Sequence, residues 1–492
     1  MQKTIQMVLA LAEGVLEADR AHIKDSVSIS LMRDVRKGLA AVRFIAVTKN
    51  LVVRSGLLGV AGHLHRFGVG AQGLLQTTNH IINNFATANR STSSENFDND
   101  VRRSLRKHTH MVTVDAASDE VVASEIMRVS ASEALSPLTP NVGIVLRDKA
   151  HASRRILSRP WKADSYLTEV MDMIASGPDC PAQMIQRSED IKSQFLLILE
   201  AHDPSNKTQN LRAAKHRFES FQKPLGRTIR LFLPIHELMV RLAVRGRETL
   251  AKRAKTWLTS ISEQPSRLVM AAMLADAADE AMALTRFCDS EDMDVSELPA
   301  QISSFLDRIT TLFGPRRYSL ECTSYTSTMM HTLQDPIVWA IGTRQQNLRA
   351  PTPSELDTCF AHMQAWLILA QQTIQVEFPS WEVAQSFMNF NLEGNVHRLA
   401  NDPYFKENMG RLALACAVDS GRLAEEFIYH QHHAKQLKSH IGCDAKSAWV
   451  RALQEHMTKR KSFVQAHPVS NLHKVVVRWL GFAASTSGVP FV

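Results

Sequence analysis

The stretch that most restricts the fold is 110–157, where two apolar runs enclose a helical one. Met111 to Val114 is rich in β-branched residues, the pattern of a strand buried on both faces. It stops at Asp115. Ser118 or Asp119 then stands where a helix cap belongs, ahead of Val121, Val122, Ile126 and Met127 on one apolar side. Val142 to Leu146 is a second apolar strand and runs into Arg147, Asp148, Lys149, Ala150 and His151. An aspartate at the C-terminal end of a buried strand sits where α/β folds carry their chemistry. On position alone, helix capping is the commoner role for Asp115 and metal ligation the rarer. For His151 the commoner role is a core histidine bonded to backbone.

The segments before it supply a sheet. SVSISLMRD, from Ser26, alternates apolar and polar residues and ends on Asp34. Leu39 to Val47 and Asn50 to Val60 give two further strands, with Lys49-Asn50 as the turn. A helix is expected over 72–85 and a polar loop over 88–100. Residues 1–25 read as one amphipathic helix and not a signal peptide, because Glu13 breaks a short apolar stretch. The order is therefore three meander strands, helix, strand, helix, strand. This is the layout of an α/β ribonuclease H-like core over 26–160, with Asp34 on the first strand and Asp115 at the end of the fourth.

Beyond Pro160-Trp161 the strand signal fades. Helical periodicity covers 189–202, 236–258, 266–288, 298–313, 354–377 and 409–440, punctuated by proline-containing stretches. A large all-α insertion over 161–445 is expected, with 446–492 returning to the core, so that the chain is predominantly helical. Residues 207–258 hold thirteen Lys/Arg against three acids, a balance of +10 in a chain whose total is +8. Arg241, Arg245, Lys252 and Lys255 are expected to share one side of a helix, with Leu238, Leu242 and Leu250 towards the core. These four, with Arg217, Lys223 and Arg227 before them and Arg154 and Arg155 beside His151, are candidate phosphate contacts. A solvated helix face is the plain alternative. Phosphate contacts position a nucleic acid without specifying its sequence.

The order of these pieces resembles the hAT family of DNA transposases and their domesticated relatives, over most of the chain. SISLMRD at 28–34 is similar to the family's first strand, whose aspartate binds catalytic metal. TVDAASDEVVAS at 113–124 is similar to the strand-turn-helix that holds the second aspartate. RDKAHASRRIL at 147–157 resembles the following CxxH stretch, with Asp148 where cysteine is usual and His151 in the histidine position. HRFESFQKPLGR at 216–227 resembles the start of the helical insertion, with Phe218 for its tryptophan. Residues 448–488, with Trp449, His467-Pro468 and Leu472, resemble the C-terminal dimerisation region. The family then continues to a glutamate that completes an acidic triad; Pro490 stands in its place. The zinc finger that often precedes the catalytic domain has no counterpart here.

The resemblance implies a metal site built on Asp34 and Asp115, which would take Mg²⁺ if active, with the third carboxylate missing. Glu120 and Glu125, on the helix after Asp115, are the nearest substitutes, and Asp25 and Asp148 are further ones; no spacing favours any of them. Loss of such a ligand implies impaired catalysis, since the geometry of both ions depends on it. The implied partners are DNA and a second copy of the chain in a homodimer or larger assembly, with no small-molecule substrate. An exposed apolar patch near 472–492 is the expected sign of that self-association. The alternatives are a non-enzymatic helical scaffold or a truncated transposon fragment. The six scattered cysteines form no CxxC pair, which argues against zinc and for reduced thiols of a nuclear or cytoplasmic protein. No apolar run is long enough to span a membrane.

Overall fold

The computed structural model describes all residues except 1, 63–66, 89–95, 116, 130–136, 207, 209–210, 212–218, 291–292, 315–323, 378–380, 394–401, 460 and 484–492. Only the backbone is described at 2–10, 96–97, 150–151, 219–223, 381, 461, 463 and 466. The chain is about 69 % helical, with a mixed five-stranded sheet. It forms two compact units, one of residues 1–151, 287–301 and 378–492, the other of 152–286 and 302–377. Residues 378–445, within the span expected as the insertion, thus belong with the sheet. Among the described residues no helix is long and apolar enough to cross a membrane.

The elements begin with α1 (Gln2–Lys24), β1 (Ser26–Arg36), β2 (Leu39–Thr48), β3 (Val53–Gly62) and α2 (Gly70–Ala86). A two-residue pair, β4 (Thr87–Ala88) with β5 (Asn96–Phe97), leads to α3 (Asn99–His108), β6 (Thr109–Val114), α4 (Ser118–Arg128), β7 (Ile144–Arg147) and α5 (Lys149–Ala163). Then follow α6 (Ser165–Met171), a π-helical turn (Asp172–Ser176), α7 (Pro181–Arg187), α8 (Glu189–His202), α9 (Glu219–Arg230), α10 (Phe232–Arg245), α11 (Glu248–Glu263), α12 (Ser266–Asp289), α13 (Leu298–Phe313) and α14 (Tyr325–Thr332). A hairpin, β8 (Ile337–Ile341) with β9 (Arg344–Leu348), precedes α15 (Pro353–Glu377) and α16 (Trp381–Ser386). The C-terminal helices are α17 (Pro403–Cys416), α18 (Ser420–Ile441), α19 (Ala445–Met457), α20 (Lys461–Ala466) and α21 (Ser470–Leu480).

The sheet order is β3-β2-β1-β6-β7. The first three strands are antiparallel neighbours, whereas β6 is parallel to β1 and β7 to β6. Alternation along the strands sends Ile29, Leu31, Phe44, Val112 and Val114 to one face, where they pack with Ile81, Phe85, Leu105 and Met127. The other face carries buried Ser30, Met32, Met111 and Thr113, and α21 lies on it over β1 and β2. Ser30 Oγ donates to the Gly481 carbonyl at 2.5 Å and Thr113 Oγ to that of Ala483. A Cβ on Gly481 would come within 3.2 Å of Val47, so a residue without one suits this approach.

Several sequence expectations are corrected. β1 does not end on Asp34 but continues to Arg36, because Lys37 and Gly38, both at positive φ, turn it tightly into β2. β3 starts at Val53, since Leu51 adopts a left-handed conformation and Val52 N–H bonds to Thr48 Oγ. Helix α4 has neither Ser118 nor Asp119 as its cap: Ala117 is the N-cap and offers no side-chain bond. α4 buries only part of the expected face: Met127 is buried and Val121 packs partly against the core, but Val122 is 49 % exposed, and Glu120, Ala123 and Ser124 are buried instead. The span 236–258 is not one helix, and the span 409–440 is broken at Ala417, which has positive φ. The hairpin β8–β9 lies where helix alone was expected.

The expected apolar patch is likewise absent from the described residues of 472–483. Leu472, Val475, Val476, Val477, Trp479, Leu480, Phe482 and Ala483 are all buried, because α21 packs on the sheet and against α17, α18 and α19. Residues 485–487 and Pro490 lie outside the described residues. The five described cysteines are free, four of them buried, and Cys322 lies outside.

Candidate functional site

The parallel strands decide where the sequence's aspartates meet. In the ladders Val114 is the partner of Arg33 on β1 and of Arg147 on β7. Asp34, Asp115 and Asp148 each follow one of these three residues. They therefore stand in a row at adjacent strand positions, although they come from distant parts of the chain. The Asp148 N–H donates to the Val114 carbonyl at 2.8 Å, extending the ladder by one step. Asp34 and Asp115 are half-buried and Asp148 is buried, as is Lys149 after it. His151 stands in the first turn of α5, its side chain outside the described part.

Beside this row lies a buried charge network that the sequence reading missed. Arg33 is 1 % exposed. Its Nε donates to Glu120 Oε2 at 2.6 Å, and its Nη2 to the Glu120 carbonyl at 2.8 Å and Ser124 Oγ at 3.2 Å. Its Nη1 reaches Thr78 Oγ at 3.2 Å. A guanidinium inside a sheet must be met by acceptors, and this need turns the Glu120–Ser124 side of α4 inward. Burial pushes the Glu120 carboxyl up, Arg33 pulls it down, and the charges of Asp115 and Asp34 add to the rise. The signal in the sequence was an arginine at a strand position whose neighbours two and four residues back are apolar.

The two substitutes on α4 for a third carboxylate separate cleanly. Glu125 is at the surface and pairs with Arg128 at 2.7 Å. Glu120 is committed to Arg33. Two divalent ions of the phosphoryl-transfer kind need several carboxylate oxygens at once. Among the described residues no three His, Cys, Asp or Glu side chains converge to hold a metal ion.

The second cluster is the basic region, built on α10 and α11. The expected single helix is a helical hairpin, because α10 ends at Gly246, whose N–H bonds to the Leu242 carbonyl at 2.9 Å. A Cβ at Gly246 would meet that carbonyl oxygen at 2.4 Å. Leu238 and Leu242 are buried on α10, as expected, whereas Leu250 on α11 is only half-buried. Arg241 and Arg245 lie on α10, Lys252 and Lys255 on α11, and all four are exposed. Arg241 pairs with Glu237 at 2.5 Å and Arg253 with Asp179 at 3.0 Å. Arg245, Arg247, Lys252 and Lys255 make no ion pair among the described residues. Arg247 is the N-cap of α11, where the helix dipole disfavours a cation.

The remaining candidates divide. Arg155 is not open to phosphate: it bonds to the fully buried Glu377 at 3.1 Å, as Arg159 also does. Arg154 and Arg227 are half-buried and engaged by neighbours. Arg217 and the side chain of Lys223 lie outside the described part. No protein-family model and no curated protein matches the sequence.

Proposed function

We propose that the protein is a hAT transposase-like, ribonuclease H-like protein that binds nucleic acid and no longer cleaves it. The observation that carries the reading is the register of the parallel strands. Asp34 and Asp115, singled out from motifs far apart in the sequence, follow directly on the paired residues Arg33 and Val114. The strand order β3-β2-β1-β6-β7, with β2 antiparallel to its neighbours, supports the same reading. The commitment of Glu120 to Arg33 supports the loss of turnover. The exposed cations of α10 and α11 support retained binding to a polyanion, as does the +10 balance of 207–258. Self-association through 472–483 is not part of the reading, since those apolar side chains are spent within their own unit.

The test is a plasmid-nicking assay with Mg²⁺ or Mn²⁺, run beside a binding titration against salt. Wild type should nick no faster than Asp34→Ala while binding DNA with an affinity that falls steeply with ionic strength. Robust cleavage abolished by Asp34→Ala would overturn the loss of turnover. Binding indifferent to salt would overturn the polyanion.

A further inference from the structure

The second unit carries two open grooves of about 800 and 530 Å³ along α11. One also takes in the end of α10; the other also takes in the π-helical turn and residues 177–180 before α7, Asp172 and Asp179 among them. Both are bordered by Lys252, Thr256, Ser260 and Arg267, so these residues form the ridge between them. Lys255 adds a further exposed cation on the wider side.

Two features of the ridge fit a phosphodiester chain. Residues 252, 256 and 260 are four apart, which on a helix is about 6 Å per step, the order of the spacing between successive phosphates of one strand. The ridge carries groups suited to phosphate, the Lys252 ammonium and the Arg267 guanidinium, beside the hydroxyls of Thr256 and Ser260, which donate to the Lys252 carbonyl at 3.0 Å and to Met173 Sδ at 3.5 Å. Arg267 is held by its Nη1, which donates to Ser260 Oγ at 3.0 Å, and its Nη2 lies 3.6 Å from Glu169 Oε2. Trp257, the aromatic residue lining one of the grooves, is buried and donates to the Met173 carbonyl at 3.3 Å, so it offers no stacking face.

We infer that α11 is a track for one nucleic-acid strand, held by its phosphates through Lys252, Lys255, Thr256, Ser260 and Arg267 and independent of base sequence. The inference rests on the nucleic-acid reading above and names its contact surface.

The test uses the full chain, a fluorescein-labelled single-stranded 20-mer of mixed sequence and the matching duplex, titrated over a range of salt. Lys252→Gln/Lys255→Gln should weaken binding on the order of tenfold and lower the log–log salt slope by about two. Arg267→Gln should weaken it further. The control Arg422→Gln/Arg451→Gln removes two exposed cations elsewhere and should leave both quantities unchanged. Circular dichroism checks that each variant is folded. If the Lys252/Lys255 variant binds as wild type does, the track is wrong, while salt-dependent binding by wild type leaves the nucleic-acid reading standing. If wild type itself shows no salt-dependent binding, both fall. Full competition by millimolar pyrophosphate would replace the track with a discrete phosphate site. A strong preference for one oligonucleotide over its scrambled form would overturn sequence independence.

Discussion

The sheet-bearing unit and the α10–α11 hairpin place their cations in opposite ways. Arg33 is sealed inside the sheet and satisfied by Glu120, Ser124 and Thr78. Lys252 and Lys255 are exposed and make no ion pair among the described residues. A buried, paired charge is expensive to disturb and does little towards an outside partner. An exposed, unpaired charge contributes almost nothing to folding and is open to a partner. The contrast teaches that the arginines and lysines of one chain cannot be pooled into a single electrostatic argument. The +8 total says less than the location of each charge.

Mutation can break that contrast at its strongest point first. Arg33→Met should cost about 3–5 kcal/mol in urea unfolding, because it leaves Glu120 buried without its partner; an unchanged midpoint would mean the network is dispensable. Next comes pH. Burial holds His236 at about 4, below its ordinary 6.5. Its folded pKa is depressed, so the stability tied to the neutral ring is present above pH 6.5 and lost as pH falls towards 4, by up to about 3 kcal/mol. His236→Phe should flatten that loss in thermal melts. Asp276 runs the other way in the same unit: burial raises it to about 6, so stability is gained as pH falls through that value. The His236→Phe curve should be shallower than that of wild type but still fall towards acid, because burial also holds His110 and His430 at about 4; a curve as steep as wild type's would remove His236 from the loss.

Smaller effects sharpen the comparison. Glu377→Gln should cost about 1–2 kcal/mol by freeing Arg155 and Arg159, without changing affinity for a labelled oligonucleotide; a gain in affinity would return Arg155 to the list of phosphate contacts. The smallest effect on stability belongs to Arg241→Gln. Its exposed pair with Glu237 should be worth under about 0.5 kcal/mol, a change best read by differential scanning calorimetry beside wild type.

The strands were legible because burial leaves a plain mark on them. Met111 to Val114 is apolar throughout, Ser26 to Asp34 alternates, and the two patterns suffice to suggest which strand is central and where the aspartates end up. Helices α8, α12, α13 and α15 were legible from period alone. What escaped depended on partners distant in the chain. The orientation of α4 follows from Arg33, and nothing within 118–128 announces a guanidinium waiting opposite. Gly246 was visible, but that it ends α10 depends on a close approach to the Leu242 carbonyl. The apolar residues of α21 looked like an exposed seam because their covers, the sheet on one side and α17 to α19 on the other, lie far away in sequence. Whether Glu120 or Glu125 neighbours the aspartates was undecidable from spacing, since both sit on the same short helix.

The bond from Ser30 to the Gly481 carbonyl joins positions 451 apart. On a ribosome adding about 5–20 residues each second, the first hairpin would wait roughly 20–90 s for that acceptor. During synthesis the Ser30 side of the sheet stays wet or is guarded by a chaperone. The nascent chain therefore passes through a long interval in which its sheet is half-clothed.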